Sequence, residues 1–443
     1  NDDVWFDLAE EYGATEFTGY SGDEGEGVVR AIVKDGERAE NAEVGETVDV
    51  LLNQTPFYGE SGGQIGDAGK LDNLKGFVGE VEDTSKPLGK LHVLRTKVVA
   101  GELSVGDTVH QKVDSERRNR VRANHSATHL LHAALRHQLG THVTQKGSLV
   151  APDHFRFDFS HPKAMTREEI DAVEKEVNAQ IRGNEMVTTR LMTPDEAISA
   201  GAMALFGEKY GDEVRVLSMG RTGETDYSVE LCGGTHVRAL GDIQLLKITS
   251  ESAVSSGVRR IEALTGEAAR QWLGEREAKL REAAATLKAA PDEVPARIAT
   301  LLEEKRKLER DLAQALASPA RSGKSFEPDA EFTANGVRVI VELKKNFPPK
   351  QLKPLADQLK HYVGSGVILI LSENEGKASV VVGVTDDLKD RLPAPSLIRP
   401  AVSALGGEGG GGRPDLAQGG GPDPSAFDAA VEAVKVALEK DAA

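Results

Sequence analysis

Cysteine and long apolar runs are nearly absent from this sequence of 443 residues, and each scarcity excludes a class of protein. Cys232 is the only cysteine, so no disulfide can form within the chain, and a reducing cytoplasm is the expected compartment. No stretch approaches the roughly 18 consecutive apolar residues of a transmembrane helix, so we expect no membrane partner. The first residues are acidic and have no apolar signal-peptide core.

Signatures of ATP use are also missing. The sequence has no Gly-x₄-Gly-Lys-Ser/Thr phosphate loop, and the glycine-rich segment 58–64 holds no lysine that could meet a triphosphate. No His-Glu-x-x-His motif occurs, which excludes the standard zinc-protease helix. Position 1 is Asn rather than Met, which suggests a processed chain or a piece of a longer one.

Acidic residues outnumber basic ones by 71 to 54, which gives a formal net charge of −17. A uniformly acidic surface repels nucleic acid, so any RNA contact must come from local basic patches. Two basic runs occur, at residues 112–122 and 344–360. Each run is explained equally well by a solvated helix face.

The length allows about two to four domains, and the patterns predict a multidomain α+β protein. Residues 1–112 contain short β-branched runs separated by Gly and Asp turns, which predict an N-terminal β-barrel domain. Residues 113–264 combine helical spacing, a capping-box pattern at Thr166 and short strands, which predict an α+β core.

The remaining sequence predicts a helical spacer and a second globular part. Residues 265–322 are rich in helix formers and carry a short heptad pattern, so a coiled-coil spacer is expected there, ending in a linker at 318–323. Residues 323–443 alternate strand and helix patterns, which predicts a small C-terminal α/β domain.

Two short motifs predict a metal site. His125 and His129 are four residues apart, which places both imidazoles on one face of a helix. Cys232 and His236 have the same spacing across a Gly-Gly turn. Three histidines and one cysteine form a tetrahedral set that suits a single Zn²⁺ ion. Either motif alone is weak evidence, because the chain holds 11 histidines, and four protein ligands normally indicate a structural rather than a catalytic metal.

Five segments in order make the chain resemble the alanyl-tRNA synthetases, and specifically the C-terminal half of the bacterial members. The resemblance covers nearly the whole chain. The segments are Thr55–Asp67, Asn124–His132, Cys232–His236, Gly257–Ala263 and Gly409–Gln418. The family's aminoacylation domain has no counterpart in these segments, so the resemblance implies a piece that edits and binds tRNA without forming alanyl-adenylate.

The resemblance implies hydrolysis of mischarged Ser-tRNA(Ala) and Gly-tRNA(Ala) at a zinc site formed by the four metal ligands. It also implies pocket residues that hydrogen-bond the seryl hydroxyl, for which Gln145 and Thr128 are the candidates. Thr128 is equally well explained as a packing residue. Arg259, Arg260 and Arg413 are expected to contact tRNA, and the C-terminal domain is expected to form a homodimer.

Two other readings remain open at this point. One is a free-standing, long-form editing protein of the same superfamily. The other is a non-catalytic module for tRNA binding and dimerisation, in which the zinc is only structural. For Arg259 and Arg260 the alternative to a phosphate contact is an ordinary surface salt bridge.

Overall fold

The computed structural model describes residues 3–203, 211–317 and 326–440. It divides into two compact units, Asn1–Leu280 and Arg281–Ala443. This division is coarser than the four predicted domains, whose finer boundaries stay a prediction. None of the described helices is long and apolar enough to cross a membrane.

The first unit begins with a helix and a β-barrel. Six strands close the barrel in the order β11-β7-β8-β9-β5-β2, because β2 pairs with both β5 and β11. Its interior is filled by alternating apolar residues such as Val29, Val50 and Phe77. The elements are α1 (Asp3–Tyr12), β1 (Glu16–Phe17), β2 (Glu24–Lys34), β3 (Glu37–Ala39), β4 (Asn41–Ala42), β5 (Thr47–Leu52), β6 (Gln54–Thr55), β7 (Gly69–Asp72), β8 (Val78–Ser85), β9 (Val93–Ala100), β10 (Leu103–Ser104) and β11 (Thr108–Val113).

A mixed helix and sheet core follows in the same unit. Its antiparallel sheet has the strand order β12-β13-β18-β17, and Phe155, Phe157 and Phe159 occupy alternate positions of β13 in one core with α2 and α3. The elements are α2 (Ser115–Leu139), β12 (Gln145–Val150), β13 (Phe155–Ser160), α3 (Arg167–Gly183), β14 (Thr188–Met192), α4 (Pro194–Ser199), β15 (Val214–Thr222), β16 (Thr225–Leu231), β17 (Leu246–Ser255), β18 (Val258–Thr265) and α5 (Gly266–Leu287).

Helix caps follow the sequence signals. Asp114 caps α2 by accepting from the backbone N–H of Arg117, and Gly140 ends that helix at a φ of 123°. Thr166 and Glu169 form the predicted capping box of α3.

The predicted spacer is helical, in α5 and in α6 (Val294–Ala317). Ile298, Leu308 and Leu312 of the heptad pattern are exposed, at 44%, 67% and 50%. A coiled coil needs a second helix against this seam, so the coiled coil stays a prediction. The predicted linker at 318–323 lies outside the described residues.

The second unit contains a six-stranded sheet in the order β19-β20-β21-β22-β24-β23. Helix α7 packs on one face, and α8 and α9 pack on the other. Only β20 and β21 run parallel among the described strands of this sheet. The elements are β19 (Ala330–Ala334), β20 (Val337–Lys345), α7 (Pro349–Val363), β21 (Val367–Asn374), β22 (Lys377–Val384), α8 (Ala394–Ala404), β23 (Gly410–Arg413), β24 (Leu416–Gly421) and α9 (Phe427–Lys440).

Candidate metal centre

Four side chains from two distant segments meet in one cluster. His125 and His129 lie one turn apart on α2, and Cys232 and His236 flank the turn that follows β16. One ligand atom from each residue lies within 4.8 Å of the others. The sulfur of Cys232 is 3.5 Å from Nε2 of His125 and 3.3 Å from Nε2 of His236. The structure therefore assembles the predicted set of three imidazoles and one thiolate.

The turn that joins Cys232 to His236 requires a glycine. A Cβ atom on Gly234 would lie 2.1 Å from Cε1 of His125 and 2.8 Å from Oε1 of Gln64. Any side chain at this position would push the turn away from α2. The Gly-Gly sequence thus allows the Cys232–His236 segment to approach the helix closely.

Each histidine uses its Nδ1 atom for a contact outside the cluster. His125 donates from Nδ1 to Oε1 of Gln64 at 2.7 Å, and His236 Nδ1 lies 3.1 Å from Oγ of Ser126. His129 Nδ1 is 3.3 Å from a carboxylate oxygen of Glu230. These partners leave the Nε2 atoms for the cluster, which is the usual arrangement behind histidine metal ligands.

The donor set fits a zinc ion. Nε2 of His129 is buried and has no hydrogen-bond partner among the described residues, so this lone pair is left for a ligand. Nitrogen and thiolate sulfur in a set of four are the ligands that Zn²⁺ prefers. His125, His129, Cys232 and His236 are the residues that would hold it.

Electrostatics favour a thiolate in this cluster. Burial raises the pKa of the Cys232 thiol, but the neighbouring imidazoles of His125, His236 and His129 outweigh burial and hold its pKa well below the usual range. Burial also lowers the pKa of His129, but Glu230 and Cys232 reverse this and raise it to about 10. Burial dominates at His236 and lowers its pKa to about 3.

The barrel supplies two contacts to the metal turn. Gln64 is fully buried, and besides His125 it binds the backbone N–H of Thr235 at 3.0 Å and the Thr235 hydroxyl at 2.8 Å. The hydroxyl of Tyr20 donates to the carbonyl of Gly233. Side chains of the barrel therefore complete the surroundings of the cluster.

One buried arginine joins these barrel segments to α2. Arg118 is fully buried and donates from Nε to Asp67 at 3.0 Å and from Nη1 to Asp23 at 3.2 Å. The same guanidinium binds the carbonyls of Gly19 and Pro56. Arg118 therefore binds both the loop that carries Tyr20 and the segment that carries Gln64.

Three family models match the chain in order. The family described as tRNA synthetases class II (A) matches residues 2–117, the threonyl and alanyl tRNA synthetase second additional domain matches 214–262, and the DHHA1 domain matches 336–440. The alanine–tRNA ligase of Rhizorhabdus wittichii is 62% identical over 99% of this chain and 50% of its own length. That of Sphingopyxis alaskensis is 61% identical over 99% of this chain and 50% of its own length.

The chain belongs to the alanyl-tRNA synthetase family. It spans about half the length of the curated relatives it matches. The resemblance inferred from the sequence motifs is confirmed. Among solved structures, the C-Ala domain of the Aquifex aeolicus alanyl-tRNA synthetase is 34% identical with a TM-score of 0.24, and the match covers 25% of this chain and 98% of that one.

The two predicted pocket residues differ in which of their hydrogen-bonding groups remain free to bind a ligand. Thr128 is buried and donates its hydroxyl proton to the carbonyl of Asn124 at 2.9 Å, so its oxygen is left only as an acceptor. Gln145 begins β12, pairs in register with Phe159 and is half-buried. Its amide makes no hydrogen bond with any described residue, which leaves it available to a ligand.

The arginines predicted to contact tRNA are all paired with carboxylates. Arg259 pairs with Glu251, and Arg260 holds Asp158 with two hydrogen bonds of 2.7 and 2.8 Å. Arg413 lies 3.3 Å from Asp415. A tRNA phosphate would have to displace or share these partners.

Three arginines of the basic run at 112–122 are bonded to other parts of the fold. In addition to buried Arg118, Arg117 donates to the carbonyl of Gly66 at 2.9 Å and Arg122 pairs with Asp23 at 2.8 Å. Neither of the two explanations offered for this run, an RNA-binding patch or a solvated helix face, includes the contacts by which these three arginines connect α2 to the barrel. In the second run, Lys360 pairs with Asp415 at 3.2 Å.

Sequence reasoning missed Gln64, Glu230 and Ser126 as partners of the cluster. Gln64 lies in a segment that resembles the family, and Glu230 lies two residues before Cys232. Their proximity to conspicuous motifs was the available signal. The contacts of Gln64 with His125 and of Ser126 with His236 depend on folding over separations of 61 and 110 residues, which no local pattern encodes.

Proposed function

We propose that this chain hydrolyses the ester bond of mischarged Ser-tRNA(Ala) and Gly-tRNA(Ala) at a zinc site. The observation that carries the proposal is the cluster of His125, His129, Cys232 and His236, because Cys232 and His236 lie inside the segment similar to the threonyl and alanyl synthetase additional domain. A bound zinc ion would supply a Lewis acid that lowers the pKa of water or anchors the substrate's amino group.

Editing answers a limit of binding selectivity. A pocket that accepts alanine cannot exclude the smaller glycine, and a pocket without a partner for the hydroxyl rejects serine only weakly. Differences of about 1–3 kcal/mol are too small for faithful translation, so a second site has to recognise the wrong amino acid.

Gln145 is the proposed partner of the seryl hydroxyl. Its uncommitted amide can both donate and accept a hydrogen bond. Thr128 is the second candidate, but it can only accept, since its proton already serves the carbonyl of Asn124. Substituting Gln145 should therefore reduce hydrolysis of the seryl ester more than that of the glycyl ester.

The proposed macromolecular partners are tRNA(Ala) and a second copy of the chain, in the cytoplasm. Arg259, Arg260 and Arg413 remain proposed tRNA contacts that exchange a carboxylate partner for a phosphate. The C-terminal unit is the proposed dimer contact. Aminoacylation is not proposed for this chain, so it should not support alanine-dependent pyrophosphate exchange.

The test is deacylation of Ser-tRNA(Ala) by the wild type and by Cys232→Ala, with zinc content and tRNA binding measured on both. We expect wild-type hydrolysis, and a variant that binds tRNA but neither holds zinc tightly nor hydrolyses. Circular dichroism shows whether the variant is folded. Hydrolysis at the wild-type rate by a zinc-free variant would contradict the proposal.

The second candidate is a tRNA-binding module with a structural zinc. It is favoured by one observation, that four protein ligands fill a tetrahedral shell. A wild-type chain that binds tRNA and zinc but never hydrolyses the seryl ester would establish this alternative.

A further inference from the structure

A cleft of about 1090 Å³ opens beside the metal cluster. His236 and Thr235 of the metal turn line one side, and Tyr20 comes from the barrel. Arg215 and Arg238 also line the cleft, and neither was singled out by the sequence. The cleft therefore joins one member of the metal cluster to three arginines, of which Arg122 is paired with Asp23.

Three acidic residues line this cleft, and two of them, Asp23 and Glu24, have basic partners other than Arg215 and Arg238, while Asp242 accepts a hydrogen bond from the backbone N–H of Ala239. Asp23 is bonded to Arg122 at 2.8 Å as well as to the buried arginine of α2. Glu24 faces Lys112 at 3.6 Å. No described carboxylate forms an ion pair with Arg215 or Arg238. Arg215 and Arg238 therefore line the cleft without a direct carboxylate partner among the described residues.

Arg215 is held in place without losing its charge. Its guanidinium carbon lies 3.5 Å from the ring centroid of Tyr20, a cation–π contact with a neutral side chain. Tyr20 is itself fixed by its hydroxyl, which donates to Gly233, and by the edge of Phe17, whose ring centroid is 4.8 Å away. An arginine oriented by an aromatic ring can still bind an anion.

The backbone fixes both arginines next to metal ligands. The carbonyl of Arg215 accepts from the N–H of Cys232 at 3.2 Å. Arg238 follows His236 by two residues, and its carbonyl accepts from the N–H of Val187 at 2.8 Å. An anion bound by these guanidinium groups would lie close to the cluster.

We propose that Arg215 and Arg238 bind the phosphodiester groups of a single-stranded RNA 3′ end and so direct its terminal ribose toward the metal cluster. Guanidinium groups bind phosphate oxygens through two parallel hydrogen bonds, and a phosphodiester strand offers successive charges to two separated arginines. The proposal deepens the proposed function, because it names the residues that bring the ester to the site. Both are positioning residues.

The direct test measures binding of the full chain to a fluorescein-labelled RNA decamer that ends in CCA, with the fluorescence anisotropy of the RNA as the readout. Arg215→Ala and Arg238→Ala should each raise the Kd about threefold to tenfold and lower the salt slope by about 0.7. The matched control is Arg221→Ala, which removes an arginine of the same strand that lies 3.8 Å from Asp226 and is not part of the cleft.

Three outcomes of this binding test decide the proposal. A loss confined to Arg215→Ala and Arg238→Ala, with zinc content unchanged, supports it. Equal Kd values and salt slopes for all variants overturn it, as does a wild type that does not bind the decamer at low salt. Competition with adenosine monophosphate tests whether the cleft binds an RNA strand or only a single nucleotide phosphate. If adenosine monophosphate displaces the decamer at equal concentration, the assignment to a strand is overturned.

Measuring the hydrolysis kinetics of Ser-tRNA(Ala) distinguishes failure of this inference from failure of the proposed function. If the wild type hydrolyses the ester, the two variants should raise KM and leave kcat within about twofold, because they act on binding. If the wild type does not hydrolyse it, the proposed function fails, while the decamer measurements still decide whether the cleft binds RNA. If the wild type is active and KM is unchanged in both variants, the inference is overturned and the proposed function is not.

Discussion

At the scale of single residues, the three imidazoles of the cluster are held by three kinds of partner: an amide, a carboxylate and a hydroxyl. Glu230 is the charged one, and its carboxylate also lies 3.2 Å from Nδ1 of His132. Burial raises the pKa of this carboxyl, but His129 and His132 outweigh burial and hold the pKa far below its usual range. It therefore stays ionised behind the metal ligand.

Replacing Glu230 by Gln should weaken zinc binding about tenfold to a hundredfold. The amide keeps the shape of the side chain but lacks the charge that orients His129 and raises its basicity. The measurement is competition with a chromophoric chelator. Glu176→Gln is the control, because Glu176 binds Tyr227 and His137 outside the cluster. Equal zinc affinity in Glu230→Gln and wild type would contradict the role.

His92 gives the barrel a pH-dependent contribution to stability. Burial lowers its pKa to about 4, although the carbonyl of Phe57 accepts from its Nδ1 and partly opposes this. The folded chain keeps this imidazole neutral, whereas the unfolded chain protonates it near pH 6.5. Its contribution is therefore complete above the unfolded pKa and falls as the pH drops toward the folded one.

Between pH 7 and pH 4.5 the wild type should lose about 2 kcal/mol more unfolding free energy than His92→Asn. Asparagine retains an amide that can donate to the carbonyl of Phe57 but does not titrate. Urea unfolding of the metal-free chains, followed by tryptophan fluorescence, gives both values. The same pH dependence in variant and wild type would show that His92 is not the source.

The four residues of the cluster could be found from sequence because two i, i+4 pairs are local patterns, while their role as metal ligands stays a prediction. Their partners could not be found in this way, because Gln64 reaches His125 across 61 residues and only folding creates that contact. For Arg259 and Arg260 the sequence left a phosphate contact and a surface salt bridge open. Neighbouring strands place the carboxylates of Glu251 and Asp158 beside them, which the sequence did not identify.

At the scale of elements, helix α2 connects the barrel to the core. Its first turns carry buried Arg118 against Asp67, and its middle carries two metal ligands. Asp67 is only 1% exposed and depends on Arg118 and on the backbone N–H of Tyr58, which donates at 2.8 Å. Removing the arginine would leave a buried carboxylate without its charge partner.

Arg118→Met should lower the free energy of unfolding by about 3–5 kcal/mol. Arg120→Met is the matched control, because Arg120 is exposed on the same helix, and it should change stability by less than about 0.5 kcal/mol. Chemical denaturation measures both. The double variant Asp67→Leu with Arg118→Met should recover part of the loss. A stability loss of the same small size in both single variants would exclude Arg118 as the connecting residue.

Regular elements with one clear period were predictable, and irregular ones were not. The strands 47–52 and 337–345 and the capped helix α3 follow their sequence signals. Helix α8 was missed because it contains Pro400, and β23 and β24 were missed because glycine is a poor strand former. Glycine is required there: a Cβ on Gly412 would lie 2.2 Å from the carbonyl oxygen of Leu416.

The pairing of these glycine strands also limits how their backbone N–H groups could contact RNA. Backbone N–H groups of a free glycine loop could approach a phosphate, but Gly410 pairs with Gly419 and Gly412 with Ala417 in the sheet. Part of that backbone is therefore used by strand pairing.

At the scale of the molecule, all four metal ligands and the partners of their Nδ1 atoms lie in the first unit. The second unit has two hydrophobic cores of its own, one on each face of its sheet. A sheet covered on both faces is typical of a domain that folds around its own core.

A chain shortened to residues 1–317 should keep zinc and retain most of its hydrolysis at saturating tRNA. Affinity for tRNA(Ala) and self-association should fall, because the proposed C-terminal contacts are removed. Metal analysis, deacylation at low and high tRNA, and sedimentation measure these effects. A shortened chain that unfolds or loses zinc would show that the first unit needs residues beyond 317.

The separation between the two halves of the cluster has a consequence in time. Cys232 follows His125 by 107 residues, so at roughly 5–20 residues per second the ribosome delivers the thiol about 5 to 20 s after the helical imidazole pair. During that interval the nascent chain offers zinc two ligands, which hold a metal only weakly and reversibly. The complete set of four donor atoms, to which we propose that zinc binds, exists only after residue 236 has emerged.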